Sequence, residues 1–303
     1  MGLVAFDIGG TSVKYGFWEN ERLSEKGSFK SPRTWEGMKE ELHRVKAEMA
    51  SKYVIDGIAI SAPGAVNQIG EVIEGASALP YLHYIPIYEE LEELLGYKVA
   101  IENDANCAAL AEMWKGSAKG LKNVLMVVVG TGIGGSVIVN GEVQHGAHLF
   151  GGEFGYTLLT ETQTFSELGT AVKMAERYAK RKGLQKGELS GEEVFQLAET
   201  GDEIALEEVE TFYRSLARGI FNLQYSYDPD LVLLGGGVSN KSDIIEQLNK
   251  RFEDILNKIH IAPFIPKVET CFFKSDANLI GAVYNYLQKT NEKLEKINEI
   301  KTI

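Results

Sequence analysis

Residues 3–17 and 124–139 repeat one design: an apolar strand, a glycine-rich bend with a small hydroxyl residue, then a second strand. The first bend is Asp7-Ile8-Gly9-Gly10-Thr11-Ser12, and the second is Val129-Gly130-Thr131-Gly132-Ile133-Gly134-Gly135. Glycine lets main-chain N–H groups line up and approach an anion closely, because no Cβ stands in the way. Threonine and serine add a hydroxyl donor. A duplicated bend of this kind predicts two related halves that share one polyphosphate. The second bend is the denser, with four glycines in six residues, more than an ordinary tight turn needs given their entropic cost. It is not a Walker loop, since no Gly-Lys-Ser/Thr follows. No helix follows it directly, so a dinucleotide fingerprint also fits poorly.

The chain has 303 residues, a length for roughly two domains. An apolar content of 44% and a charged content of 24% are those of an ordinary soluble globular protein. A net charge of −12 argues against a sequence-independent grip on nucleic acid or anionic lipid, while leaving room for a local phosphate site. Cys107 and Cys271 lie far apart and give neither metal-ligand spacing nor a disulfide framework, which suits a reducing compartment. No apolar run approaches the roughly 20 residues of a membrane helix, and no signal-peptide pattern precedes the first strand. The expected location is cytoplasmic, with no membrane and no nucleic-acid partner.

The pattern along the chain alternates between periods. Residues 18–22 read as the polar tip of a hairpin. Met38, Leu42, Val45 and Met49 recur at helical spacing within 34–52. Residues 54–60 form a strand ending in Ser61-Ala62-Pro63-Gly64, a turn signal. A short helix over 86–95 closes on Gly96, and a short strand covers 99–101. Residues 105–115 are alanine-rich and helical. After the second bend, Asn140-Gly141 marks a hairpin turn. Residues 167–227 are mostly helical, 231–234 are a buried-type strand followed by Gly235-Gly236-Gly237, and a helix starts near 242. A last strand covers 267–273, and helix runs from 278 to the end. This order predicts an α/β architecture. The expected division is a small N-terminal lobe, 1–118, and a large lobe, 119–283, with a C-terminal helix at about 284–303 packing back on the first.

Several residues have both a chemical and a plain reading. Asp7 ends an apolar strand against Gly9-Gly10-Thr11, where it would face Mg²⁺-bound phosphate, with Thr11 donating to a phosphate oxygen and Lys14 adding charge. A glycine turn in which Asp7 caps main-chain N–H groups is the plain reading. Glu102-Asn103-Asp104-Ala105-Asn106 sits at a strand-to-helix junction. Asp104 there would accept a proton from an attacking hydroxyl while Asn103 holds the substrate, or either residue is simply a helix N-cap. Glu153, between Gly152 and Phe154, has two acceptor oxygens suited to vicinal sugar hydroxyls, or faces solvent from a loop. Gly235-Gly236-Gly237 would let adenine or ribose lie on bare backbone, or form an ordinary strand-to-helix turn. His145 and His148 lack the partners of a metal set.

Taken together, the segments Asp7-Ile8-Gly9-Gly10-Thr11, Ser61-Ala62-Pro63-Gly64, Glu102-Asn103-Asp104-Ala105-Asn106, Gly130-Thr131-Gly132-Ile133-Gly134-Gly135 and Gly152-Glu153-Phe154-Gly155 resemble the ROK family of sugar kinases. They occur in the family's order over most of the chain. The resemblance implies a two-lobed actin-like (ribonuclease H-like) ATPase fold with a cleft, MgATP in one wall and a hexose at the hinge. By position, Asp104 is similar to the catalytic base, and Asn103 and Glu153 to hydroxyl binders. Gly64 and Ser77 match positions near the sugar. Asp7, Gly9, Gly10, Thr11, Gly130, Thr131, Gly132, Gly235 and Gly236 would line the nucleotide. Many members carry a zinc site of closely spaced cysteines and a histidine. Here Tyr156 stands at the histidine position and residues 160–170 lack cysteine, so no zinc is expected. Glu167 falls where a further sugar-binding glutamate would sit, in a loose alignment.

The zinc-less pattern looks most like the β-glucoside kinase branch, which phosphorylates the 6-hydroxyl of the non-reducing glucose in cellobiose-type sugars. Glucose and N-acetylmannosamine are the alternative substrates, and a non-catalytic sugar sensor is the alternative of another class. The DNA-binding module of the family's repressors is expected to be absent, because strand residues begin at Leu3. Members often dimerise, which leaves a homodimer open.

Overall fold

The computed structural model describes residues 1–260 and 262–301, of which 291–301 are described by backbone alone. The chain forms two compact units: Met1–Lys119 with Gly146–Phe150 and Phe273–Ile303, and Gly120–His145 with Gly151–Phe272. The first unit opens with strands β1 (Leu3–Ile8), β2 (Ser12–Glu19) and β3 (Arg22–Lys30), then helix α1 (Trp35–Ala50). There follow β4 (Gly57–Ala62), a small hairpin β5 (Ala65–Asn67) and β6 (Val72–Glu74), α2 (Ile87–Leu95), β7 (Val99–Asn103) and α3 (Asp104–Lys115). The second unit holds β8 (Val124–Val129), β9 (Ile133–Val139), β10 (Glu142–Val143), α4 (Phe165–Gly169), α5 (Ala171–Lys182), α6 (Gly191–Glu199) and α7 (Glu203–Tyr227). It ends with β11 (Leu231–Gly235), α8 (Ile244–Leu256) and β12 (Val268–Thr270). Helix α9 (Ala277–Lys301) returns to the first unit.

The duplicated bend is a duplicated topology. One sheet has the order β3-β2-β1-β4-β7 and the other β10-β9-β8-β11-β12. In each, a glycine bend joins an antiparallel pair (β1 with β2, β8 with β9), and the first strand of that pair runs parallel to the next two. This is the α/β fold that the resemblance implied.

Strand β1 is buried along its whole length because helices cover both faces of its sheet. Val4, Phe6 and Ile8 pack with Met38, Leu42, Val45 and Met49 of α1. Leu3 and Ala5 face the other way, with Ala59, Ala100, Cys107 and Ala111, against Leu279, Ile280, Ala282, Val283 and Tyr286 of α9. Small residues on that face bring α3 and α9 close together. At Gly281 no Cβ fits, because the Cys107 carbonyl occupies its place. In the second unit Leu125, Val127 and Val129 of β8 share a core with Phe165, Phe212, Leu216, Ile220, Leu248 and Phe252.

The structure corrects several sequence boundaries. Trp18 is not at a hairpin tip: β2 runs through it, it is buried against Trp114, and the turn is Asn20-Glu21 with positive φ at both residues. Strand β7 extends to Asn103, two residues past the apolar run, because Glu102 is buried among hydrogen-bond donors. The charged edge strand β3 is the second arm of the expected hairpin, whereas the short hairpin β5–β6, with only Val66 and Ile73 buried, has no signal in the sequence. Strand β12 is shorter than expected, and helix α8 starts two residues later. Residues 302 and 303 of the expected C-terminal helix lie outside the described residues. Among the described residues, no helix is long and apolar enough to cross a membrane.

Candidate active site

Asp7 lies at the end of β1, 9% exposed. Its Oδ1 accepts from Ser61 Oγ on the neighbouring strand and from Asn278 Nδ2 at the start of α9, both at 3.0 Å. Its Oδ2 is left 4.0 Å from Lys14 Nζ, which also donates to the Ser275 carbonyl at 3.3 Å. The bend beyond it is held by Gly9 N–H on the Ser12 carbonyl and by Ser31 Oγ on the Gly9 carbonyl. Gly10 and Thr11 stay exposed at its crest. Asp7 therefore does not cap its own turn. One of its oxygens is fixed from behind and the other is turned to a lysine.

The β7–α3 junction stands in the same unit. Asn103 is the N-cap of α3: its Oδ1 accepts from the N–H groups of Ala105 and Asn106, and its Nδ2 donates 3.0 Å to the Gly64 carbonyl. Gly64 has φ +105°, open to glycine at little cost, and a side chain there would strike His83 and Ile73. Asp104 is the first residue of α3 and accepts from the Ala105 N–H at 2.8 Å. Burial pushes the Asp104 carboxyl above the ordinary aspartate value; the Ala105 N–H opposes this and the nearby Asp7 charge adds to it. Ser77 accepts from the Leu79 N–H and lies 2.8 Å from His83 Nε2, so His83 joins Ser77 to the surroundings of Gly64. The unit thus gathers Asp7, Gly9, Gly10, Thr11 and Lys14 on one loop, and Gly64, Ser77, Asn103 and Asp104 around another.

In the second unit Gly130, Thr131 and Gly132 are all exposed, and the Gly130 N–H closes the bend on the Gly132 carbonyl. Gly135, Gly152 and Gly155 serve a different purpose: each lacks room for a Cβ because the 151–156 loop is wedged against β9. That wedge presents Glu153 as an exposed carboxylate ahead of a short 3-10 turn, Phe154–Tyr156. Glu167 is engaged locally. Its Oε2 accepts from the N–H and hydroxyl of Thr164, forming the capping box of α4, and these bonds hold its carboxyl below the usual glutamate range. Beside the second bend lies a cavity of about 690 Å³. Val129, Gly130, Thr131 and Gly237 line one side, and Val172, Phe195 and Glu199 are among its other walls. Gly235 is buried in β11 and Gly236 turns the chain at φ +82°, so the third glycine of the run is the one that faces the cavity.

Each bend by itself offers exposed glycine backbone and a threonine hydroxyl, donors of the kind that suit an anion. The cavity has the size of a small-ligand site and meets bare glycine backbone. Among the described residues no group of three or more His, Cys, Asp or Glu side chains is placed to hold a metal ion. A hard divalent cation that brings phosphate oxygens and waters as ligands fits the single outward oxygen of Asp7.

Sequence reasoning missed the supporting residues. Ser61 pairs with Asp7 in strand register, which only the sheet order reveals. Asn278 and Gln68 act from distant segments, and Phe195 carries a helical core spacing that hides its place on the cavity wall.

A model of the ROK family matches residues 3–289. The chain belongs to the ROK family. It is 34% identical over 300 residues to a β-glucoside kinase of Listeria monocytogenes serovar 1/2a, covering 96% of this chain and 99% of that protein. Its fold is similar to a ROK family protein from Streptococcus pneumoniae TIGR4 in complex with sucrose, with a TM-score of 0.87, 35% identity, and coverage of 96% and 100%. It is similar also to a ROK hexokinase from Thermus thermophilus, with a TM-score of 0.84, 28% identity and the same coverage. The fold is therefore the actin-like ATPase fold of these sugar kinases.

Proposed function

We propose that this ATP-dependent sugar kinase phosphorylates the 6-hydroxyl of glucose or of the non-reducing glucose of a cellobiose-type β-glucoside. The kinase class follows from the family. The observation that carries the mechanism is Asp104, a carboxylate set at a helix start beside Asn103 and Gly64, with its proton affinity raised by burial. A base for an alcohol must reach the hydroxyl and be ionised at working pH. In this reading Asp104 Oδ2 takes the sugar proton as the oxygen attacks, and its Oδ1 stays on the Ala105 N–H. Asn103, and Glu153 of the second unit, are the residues assigned to sugar hydroxyls, with Gly64 and Ser77 shaping the sugar site around Asn103. Since Asn103 also caps α3, it positions the base at the same time.

Gly9, Gly10, Thr11 and Lys14 of one bend, and Gly130, Thr131 and Gly132 of the other, are the groups assigned to the phosphates, and Gly236-Gly237 to the nucleoside. Mg²⁺, held at Asp7, would offset charge on the phosphate oxygens. The likeness to a β-glucoside kinase at 34% identity supports a β-glucoside as the substrate, with glucose and N-acetylmannosamine as the alternatives. A substrate of this kind and ATP are met together in the cytoplasm, where we place the protein. Sugar-dependent ADP release over glucose, cellobiose, gentiobiose, N-acetylmannosamine and fructose tests the reading. Release with a β-glucoside or glucose is expected, and no release with any sugar would sink it.

A further inference from the structure

Glu102 is 1% exposed and sits one residue before the N-cap of the base-bearing helix. Its Oε1 accepts from its neighbour's main chain, Asn103 N–H at 2.8 Å, and from Asn106 Nδ2 at 3.0 Å. Its Oε2 accepts from Gln68 Nε2 at 2.6 Å. Each partner is an N–H donor, the complement of an acceptor-only carboxylate. Gln68 belongs to the turn of the β5–β6 hairpin, which is rigid in itself: Asn67 Oδ1 accepts from Ile69 N–H and Gly70 N–H, and Asn67 Nδ2 donates to Glu74. The hairpin begins directly after Gly64, whose carbonyl holds Asn103. Two side-chain bonds therefore tie it to β7, Asn103 to Gly64 at its base and Glu102 to Gln68 at its turn.

We infer that Glu102 is a positioning residue, which couples the placement of the β5–β6 hairpin through Gln68 to the placement of Asp104. This rests on the reading of Asp104 as the base and of the Gly64 loop as the sugar site. A shift of the hairpin would move Gly64 and, through Asn103, the start of α3, so sugar affinity should respond before nucleotide affinity does.

An exchange of the two side chains tests it, because the donor pattern allows one. Gln68→Glu sets two carboxylates face to face. Adding Glu102→Gln restores a donor toward residue 68 while keeping an acceptor oxygen for Asn103 and Asn106. The single Gln68→Glu variant should raise the sugar KM about tenfold, the size of coupling between contacting residues, with the ATP KM little changed. The double variant should recover most of that loss. Gln68→Ala, at a half-buried hairpin position, should raise the sugar KM less and keep the melting temperature. An unchanged sugar KM in Gln68→Glu, or a double variant no better than the single, would overturn the coupling. Loss of the base assignment would show separately, as turnover retained in Asp104→Asn.

Discussion

At Asp104 two opposed demands meet on one carboxyl. The start of a helix favours its anion, and burial disfavours it. Burial dominates, so the acid limb of kcat/KM for the sugar should lie above the ordinary aspartate value of about 3.9, with activity falling as pH drops through it. The same shift has a stability sign. A carboxyl that binds its proton more tightly in the folded state costs stability once it ionises, so the cost appears as pH rises past the ordinary value and is full above the folded one. Asp104→Asn should therefore lower turnover about 10²–10⁴-fold with sugar binding by calorimetry retained. It should also melt no lower than the parent at neutral pH, an advantage that vanishes in strong acid. Glu167 points the other way. Its carboxylate is engaged by Thr164, so Glu167→Ala should lower the melting temperature and leave the sugar KM within about twofold, as a surface change does. A large rise in that KM would instead place Glu167 on the substrate.

At the scale of elements, the glycines divide by purpose. Those of the 130–132 bend are exposed, whereas Gly135, Gly152 and Gly155 make room for one backbone against another. Gly152 has φ +92° and faces the Gly135 carbonyl, so Gly152→Ala should displace the Glu153 loop, raising the sugar KM and lowering the melting temperature together. The two strand–bend–strand units and Asn103-Asp104 were legible in the sequence because each is contiguous and chemically marked. The hairpin β5–β6, Ser61, Asn278 and the cavity wall at Phe195 were not, since their meaning depends on which strands lie side by side. Within 235–237 the sequence does not distinguish one glycine from another, because the end of β11 is set by pairing to β8, not by composition.

For the whole molecule, the repeat of one sheet order in both units makes the differences between them informative. Among the described residues, only the first unit carries an acid at its bend, and Asp104, the carboxylate proposed as the base, lies at its β7–α3 junction, so chemistry-altering substitutions should concentrate there. Nucleotide-altering ones should extend to the 690 Å³ cavity of the second. Thr131→Val should thus weaken ADP binding by calorimetry several-fold, the loss of about one hydrogen bond, with sugar binding unchanged.

The packing of α9 also sets an order of events during synthesis. Leu3, Ala5, Ala59 and Ala100 form an apolar sheet face that is covered by residues 279–286, made only after the second unit. At ribosomal speed that face waits on the order of ten seconds after residue 119 is made. The second unit, continuous but for one short excursion, has all its residues in hand before then. The half that is begun first is therefore the half that is finished last, and its nascent form is the one a ribosome-bound chaperone would have to shield.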